Sequence, residues 1–452
     1  MKNIFTVLIV FSSPCLGQSN HISTITSSYQ ASRFLKDTSM TGVYDAAHKV
    51  MHIEGKISGT VTIQNAIIEA NPYIQIADTT VTFINCKTKE FSSAWYGAKS
   101  TNADNSVQLQ KCINTCIKNG IKNLYIADNY SYSQTLKAFN ISNGQYIGWA
   151  LNIYGDGDRW DDRQTLHYTG SGIAFGVQLA KGGSISKLTI KGNYKPPKNT
   201  GPVYYNTPFP VKPGNSGIVI DYDGSKNTGG STGFFIEDTD VDGFDVLYDI
   251  SPNGATYNAD IIHLNNIHCG NGRIGVRSGQ AQEKDNEING IFSWGSIQVL
   301  IQIGKSGKVQ AGNYVVRGGN VAGGCVQLFD ISLSGWNSFH VYGLYAESIA
   351  RIGTIYARTD LYNPTAGLNG LEVKFQTPDN AGAQTLFTGN SYKIIFRDCD
   401  MWYYDGKKGN PMTWAGNFTF DNVDFGGGVW NNPGLINIKH DNSGANTSIH
   451  SQ

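Results

Sequence analysis

Thr232–Gly295 decides the fold. It reads Thr-Gly-Phe-Phe-Ile-Glu-Asp-Thr-Asp-Val-Asp-Gly-Phe (232–244), then Ala-Asp-Ile-Ile-His-Leu-Asn-Asn-Ile-His-Cys-Gly (259–270), then Asp-Asn-Glu-Ile-Asn-Gly-Ile-Phe-Ser-Trp-Gly (285–295). Each phrase is a short β-rich run with apolar residues at alternate positions, a polar residue or Asn near a bend, then Gly. The phrase returns at Asn313–Gly324, Ser338–Ser348, Tyr392–Tyr404 and Phe418–Gly428. Neighbouring phrases are roughly 24 to 28 residues apart, with one gap about twice as long, and a repeat of that order marks a solenoid, propeller or array. No helix-length segment separates the runs, which argues against βαβ units. Propeller blades need about 40 residues, too many for this step. A strand repeated at this interval buries its inward side chains only by stacking on its neighbours. The pattern therefore predicts an all-β chain, a parallel β-helix with about one coil per period.

Composition agrees. The chain has 452 residues, of which 53 are Gly, 12% are aromatic and 15% are charged, with a formal net charge of zero. Few charges leave the polar surface to Asn, Ser, Thr and Gln. Neutrality removes any global field for nucleic acid or anionic membrane, so neither is an expected partner.

Met1–Gly17 looks like a secretory signal: Lys2, the apolar run Ile4–Phe11, and Cys15-Leu16-Gly17 ending on a small residue. Cleavage is expected before Gln18, giving a secreted (extracellular or periplasmic) chain. Pro14 stands where a lipobox wants a small residue, which disfavours a surface lipoprotein anchored at Cys15. No later run reaches the length of a membrane span. Six cysteines remain, at 86, 112, 116, 269, 325 and 399. Cys269 and Cys399 fall in strand phrases and Cys112 and Cys116 one turn apart on a helix, so buried thiols are expected, with one bridge near Cys86 as the exception. No four-ligand zinc set is present.

Residues 18–91 read as a small N-terminal β module, 92–440 as the solenoid and 441–452 as a polar tail. Between the first two come Trp95-Tyr96-Gly97-Ala98-Lys99 and Asp104-Asn105-Ser106-Val107-Gln108-Leu109. Asp104 can cap a helix that buries Leu109, Cys112, Ile113, Cys116 and Ile117 and ends at Gly120. Here the sequence resembles the pectate-lyase superfamily of right-handed parallel β-helix proteins, whose first coils carry a Tyr/Phe-Gly-Ala phrase, an Asp, a capping helix and then a strand. The resemblance implies a right-handed helix with an N-terminal capping helix, over Trp95 to about His440. It implies carbohydrate chemistry in general: the superfamily includes pectin and alginate lyases, glycoside hydrolases and phage depolymerases. Such proteins often trimerise, so a homo-oligomer is open.

Outward residues of successive coils stand about 4.8 Å apart, so a groove along one face collects side chains from several coils. In 234–244, Phe234, Ile236 and Val241 point inward, leaving Glu237, Asp240 and Asp242 outward or at the corner. His263 and His268 follow, then Arg277, Gln280 and Gln282 on the loop closing that coil, and Trp294 as a ring for sugar. Tyr342, Tyr345 and Glu347 come further on. Neighbouring carboxylates suit glycoside hydrolysis, and crowding raises the pKa of one of them. Glu237, Asp240, Asp242, His268 and Glu347 are thus the catalytic candidates. His263, Arg277, Gln280, Gln282, Trp294, Tyr342 and Tyr345 are the substrate-binding ones. Solvated corner carboxylates are the plain alternative, and Asp238 and Asn266 fit it best. No cofactor is required, and Ca²⁺ at the Asp cluster is a minor option lacking a dedicated loop. Asp156, Asp158, Asp161 and Asp162, with Gly155 and Gly157, read first as turn residues. The Tyr- and Pro-rich interruption Tyr194–Asn215 is either a substrate wall or decoration.

The leading expectation is a secreted polysaccharide-degrading enzyme, a glycoside hydrolase holding an extended glycan. The rivals are a lyase acting by β-elimination on a uronic-acid polymer, with Arg277, His263, His268, Lys195 or Lys198 as cation and base, and a non-catalytic glycan-binding surface protein.

Overall fold

The computed structural model describes Ile25–Thr26, Ser32–Phe34, the chain from Asp37 to Ile438 and Ser448–Ser451. Within that span it leaves out 159–160, 199–206, 224–229, 253–258, 280–281, 305–310, 334–336, 358–363, 377–383, 404–411, 427–428 and 433–435. The signal-like segment and Cys15 lie outside the described residues.

The repeated phrase becomes a rung. One inward column runs Phe91, Leu124, Ile153, Ile185, Ile236, Leu264, Ile288, Val316, Val341, Leu368, Phe396 and Phe420, each residue paired in parallel with the next. All are buried. A second face has its own column, Tyr130, Leu166, Ile190, Val241, Cys269, Ser293, Val321, Ala346, Val373, Met401 and Phe425. A third runs through Phe175, Ile218, Tyr248, Val276, Ile301 and Phe329. The three faces form one 29-stranded parallel β-helix. In fold, the chain is a parallel β-helix.

The first and second faces meet at a corner fixed by backbone conformation. Two residues beyond the first column, Lys187, Asp238, Asn266, Gly290, Gly318, Gly343, Gly370, Asp398 and Asn422 all have φ between 46° and 76°. That left-handed region is where Gly, Asn and Asp are least strained. The corner side chains also pair: Asn266 Nδ2 donates to Asp238 Oδ1 at 3.2 Å, and Asn422 Nδ2 to Asp398 Oδ1 at 2.6 Å. Asp238 and Asn266 are corner residues, hydrogen-bonded to each other.

The N-terminal segment repeats the principle at a shorter step. Tyr44, Ile63 and Phe83 stack in parallel, as do Met51 with Ile68 and Thr38 with Ile57. Asn85 Nδ2 donates to Asn65 Oδ1 at 2.5 Å, and both residues have positive φ. Helix Ser106–Asn119 buries Leu109, Cys112, Ile113, Cys116 and Ile117, and Gly120 ends it in the left-handed conformation. It lies between the two sets of coils. Its Asn119 accepts from Cys86 N and donates to Phe83 O, while Tyr96 and Thr115 hydroxyls meet at 3.2 Å.

Two local expectations are corrected. Asn105, not Asp104, is the N-cap; Asp104 Oδ1 instead accepts from Ser106 N at 2.9 Å, because Ser106 already begins the helix. Cys86 makes no bridge: all six cysteines from Cys86 onward are free and buried, and the Cys86 thiol donates to Ile63 O at 3.4 Å. At the other end, Ser448–Ser451 in the polar C-terminal stretch pairs in parallel with Val429–Asn432. Among the described residues, no helix is long and apolar enough to cross a membrane.

Truncating an inward rung residue should be costly. Leu264→Ala leaves a cavity between Ile236 and Ile288 and is expected to cost about 2–5 kcal/mol. The outward, exposed Arg317→Ala should cost about 0.5 kcal/mol or less. Thermal denaturation of the two variants checks the assignment, and equal losses would contradict it.

Candidate functional site

The outward side chains of the second face form two parallel columns. The first runs Thr165, Thr189, Asp240, His268, Phe292, Asn320, Tyr345, Glu372, Asp400 and Asp424. Two residues along each strand, the second runs Lys191, Asp242, Gly270, Trp294, Ala322, Glu347, Lys374 and Trp402. Asp240, Asp242, His268, Trp294, Tyr345 and Glu347 therefore share one face.

The lower end of this face holds a compact cluster. Asp240 and Asp242 alternate with inward Val241, so their side chains leave the strand on the same side. Both are outward in register, yet only 4% and 8% exposed. His268 sits directly above Asp240 and stacks on Phe292, with centroids 5.1 Å apart and planes at 23°. The Asp240 carboxyl is hydrogen-bonded by the Trp294 side chain. Gly270 leaves room for the Asp242 side chain: a Cβ there would lie 2.6 Å from Asp242 Cβ. Asp242 Oδ1 accepts from Asn271 N at 2.7 Å and Asn271 Nδ2 at 2.9 Å.

Arg163 completes the cluster from below. It closes the acidic turn of an early coil, just before the strand whose Thr165 begins the Asp240 column. Arg163 is 8% exposed, and its Nε and Nη1 are sealed from solvent with no hydrogen-bond partner. Asp240 Oδ1 is likewise sealed and unpartnered. Burial, with the Asp242 charge adding to it, pushes the Asp240 carboxyl up to about 7, against opposition from Arg163, Trp294 and Lys191. Burial, aided by Arg163, lowers the His268 pKa. At neutral pH the cluster can thus hold a carboxylic acid, a neutral imidazole and a buried guanidinium within reach of one another.

The other candidates lie elsewhere. Glu237 is on the first face, across the Asp238 bend, and accepts from Asn265 Nδ2 at 3.2 Å. His263, also on the first face, packs against the Phe235 ring at a 34° tilt and faces Glu287 at 3.8 Å. Tyr342 is on that face too, with the Arg317 guanidinium 5.4 Å from its ring centroid. Arg277 belongs to the third face, where Asp249 holds it in a two-point ion pair at 2.9 and 2.6 Å. Glu347 shares the second face but stands four rungs above Asp242, about 19 Å along the axis. It accepts from Tyr345 at 2.7 Å, and Lys374 donates to that hydroxyl at 3.0 Å. Gln280 and the side chain of Gln282 lie outside the described residues.

The two sequence interruptions flank the cluster. Asp156 is held by Tyr125, and Asp158 pairs with Lys187 at 2.5 Å, in keeping with turn residues. The described part of the interruption after Lys191 lies against the third face: Tyr194 donates to Pro210 O at 2.8 Å, Lys212 N to Asp245 Oδ1 at 3.1 Å, and Phe209 packs with Val326 and Ala350. Among the described residues, no group of three or more His, Cys, Asp or Glu is placed to hold a metal ion.

Sequence reasoning missed Arg163, Lys191 and Asn271. Only the strand register could have found them, since Arg163 is distant from Asp240 in sequence and adjacent through stacking.

The Asp240 shift has a stability consequence with a definite sign. Its folded pKa lies above its unfolded value, so its contribution is full below about pH 4 and is lost as pH rises through about 7. Wild type should lose on the order of a few kcal/mol between pH 4 and pH 8 from this group. Asp240→Asn should remove that loss and be the more stable protein at pH 8. Thermal midpoints of both proteins across that range check it.

No known family profile matches this sequence, and no curated protein does. Among solved structures, the chain is similar to the enzymatically active domain of bacteriophage CBA120 tailspike protein 2 (13% identity, 79% of this chain, 46% of that one, TM-score 0.34). It is also similar to the Dettilon tailspike protein (12%, 78% and 68%, 0.38). A third likeness is to the catalytic unit of a GH87 α-1,3-glucanase from Streptomyces thermodiastaticus strain HF3-3 (13%, 79% and 69%, 0.36). The chain spans less than half of the CBA120 domain.

Proposed function

We propose that this protein is a secreted glycoside hydrolase whose reaction centre is Asp240 with Asp242, on the second face of the β-helix. The observation that carries the reading is the Asp240 carboxyl, buried beside a second carboxylate and raised to about 7. A carboxyl with that pKa still holds its proton near neutrality and can give it to a departing glycosidic oxygen. Asp242, fixed by the two Asn271 donors, is the ionised partner that takes a proton from attacking water. Side chains two residues apart on one strand leave it about 6.6 Å apart. That is the spacing of inverting enzymes, with room for a water between the carboxyls.

Trp294 covers the acid in the free protein. A substrate oxygen must take the place of the indole N–H on Asp240, while the exposed ring offers a stacking surface to the sugar. Arg163 opposes the raised pKa, which sets how far up the pH scale the acid works. His268, with its pKa lowered, supplies a neutral hydrogen-bonding group beside the acid rather than a competing cation. Elimination would need a free cation and a base around one sugar carboxylate. Arg277 is committed to Asp249 and His263 belongs to another face. Arg163, Lys191 and His268 do stand at the cluster, and what favours hydrolysis is the raised Asp240 carboxyl beside a second carboxylate.

Asp240→Asn is expected to lower kcat by at least about a thousandfold with the fold intact by circular dichroism. The screen is release of reducing ends from purified mature protein on plant, marine and host polysaccharides. Full activity in the variant would remove Asp240 from the mechanism. New ultraviolet absorbance in the products would replace hydrolysis by elimination, and retention on a glycan without shortening would replace both by binding. In wild type the alkaline limb of kcat/KM should fall near pH 7. Arg163→Gln should move that limb upward, because a charge that lowers the Asp240 pKa is gone.

A further inference from the structure

The Asp240–Trp294 pairing has a counterpart near the far end of the same face. Asp400 stands six rungs above Asp240 in the same column, and Trp402 four rungs above Trp294 in the adjacent one. The Trp402 side chain is hydrogen-bonded to Asp400. Asp400 Oδ1 is sealed from solvent without a partner, and burial raises its pKa. Both indoles are exposed, Trp294 by 47% and Trp402 by 44%. The rungs between them carry polar side chains tied to one another: Tyr345 to Glu347, and Lys374 to Tyr345, to Glu372 at 3.5 Å and over the Tyr345 ring at 4.8 Å.

We propose that Trp402 is a distal sugar-binding platform, and that the second face binds one long, neutral glycan running along the helix axis from Trp294 to Trp402. This rests on the reading of Asp240 and Asp242 given above. An exposed indole steadied by its own carboxylate presents a flat apolar ring beside a hydrogen-bond acceptor, which matches a pyranose: an apolar C–H face with hydroxyls at its edge. Two such platforms in one column, about 19 Å apart by rung spacing, require a ligand several sugars long. The sign of the face selects its class. With Asp240 left out because it holds its proton, the outward residues Asp242, Glu347, Glu372, Asp400 and Asp424 still outnumber Lys191, Lys374 and the Arg163 beneath them, so a polyuronate would meet like charge along its length. A hydroxyl-rich neutral polymer would not.

The test is affinity electrophoresis of the Asp240→Asn protein through gels containing xylan, mannan, mixed-linkage glucan, dextran, polygalacturonate or alginate. Retention is expected on at least one neutral polymer and on neither polyuronate. Adding Trp402→Ala should weaken that retention about tenfold, Trp402→Tyr should restore most of it, and Tyr356→Ala, which removes an exposed ring from the third face, should leave it as it was. Equal retention with and without Trp402, equal loss with Tyr356→Ala, preference for a polyuronate, or no retention on any polymer would each overturn the inference. Failure of the catalytic reading looks different: wild type retained with the same Trp402 dependence, but leaving the polymer uncut.

Discussion

From Ile185 onward the stacking depends on a corner that keeps one length. Between the first and second faces a single residue in the left-handed region turns the chain, in coil after coil. Because in these coils the turn consumes the same number of residues, an inward residue on one rung lies above an inward residue on the next. The longer early corner between Ile153 and Leu166 holds the turn that bears Arg163. A slip of one position would put a whole strand's apolar set into solvent. Asn, Asp and Gly meet this demand at little conformational cost, and the side-chain bonds of Asn266 to Asp238 and Asn422 to Asp398 tie adjacent corners together.

Register makes neighbours of residues that are far apart in the chain. The stacked strands carry the early turn bearing Arg163 to the cluster built on Asp240, and set His268 directly over that carboxyl. Absence of a side chain matters as much: a Cβ at Gly270 would collide with Asp242, so the glycine keeps that carboxylate in its place. A solenoid can build a reaction centre this way without a dedicated loop, because its rungs already hold side chains at a fixed spacing.

The rungs, the helix at Ser106–Asn119 and the corner roles of Asp238 and Asn266 were legible in the sequence, since each leaves a local signature of alternation, amphipathicity or turn chemistry. The site was legible only in part. Alternation marks Asp240 and Asp242 as outward, but Glu237, three residues before Asp240, looks equivalent until the bend at Asp238 sends it to another face. Glu347 occupies the same column as Asp242 but stands four rungs above it. Arg277 looks like a free cation until Asp249, one coil earlier, takes both sides of its guanidinium. The N-terminal coils were harder still, because their shorter step hides them beside the longer repeat.

The way this protein treats its other buried carboxylates separates Asp240 from scaffolding. Asp245 takes Arg273 in two hydrogen bonds of 2.8 Å, and Asp249 takes Arg277 in the same manner. Asp221 accepts from Ser231 N at 2.8 Å and Ser231 Oγ at 2.7 Å. In each case the burial penalty on the charge is offset by directed donors. Asp240 is as deeply covered, with Arg163 close enough to influence its ionisation, yet Oδ1 and the arginine's Nε and Nη1 are left without partners. A structural carboxylate gains from closing that gap; an acid that must keep its proton near neutrality loses by it, because a direct guanidinium bond would drive its pKa far down. On the proposed function, the unmade ion pair is a requirement of the chemistry rather than a flaw in the packing.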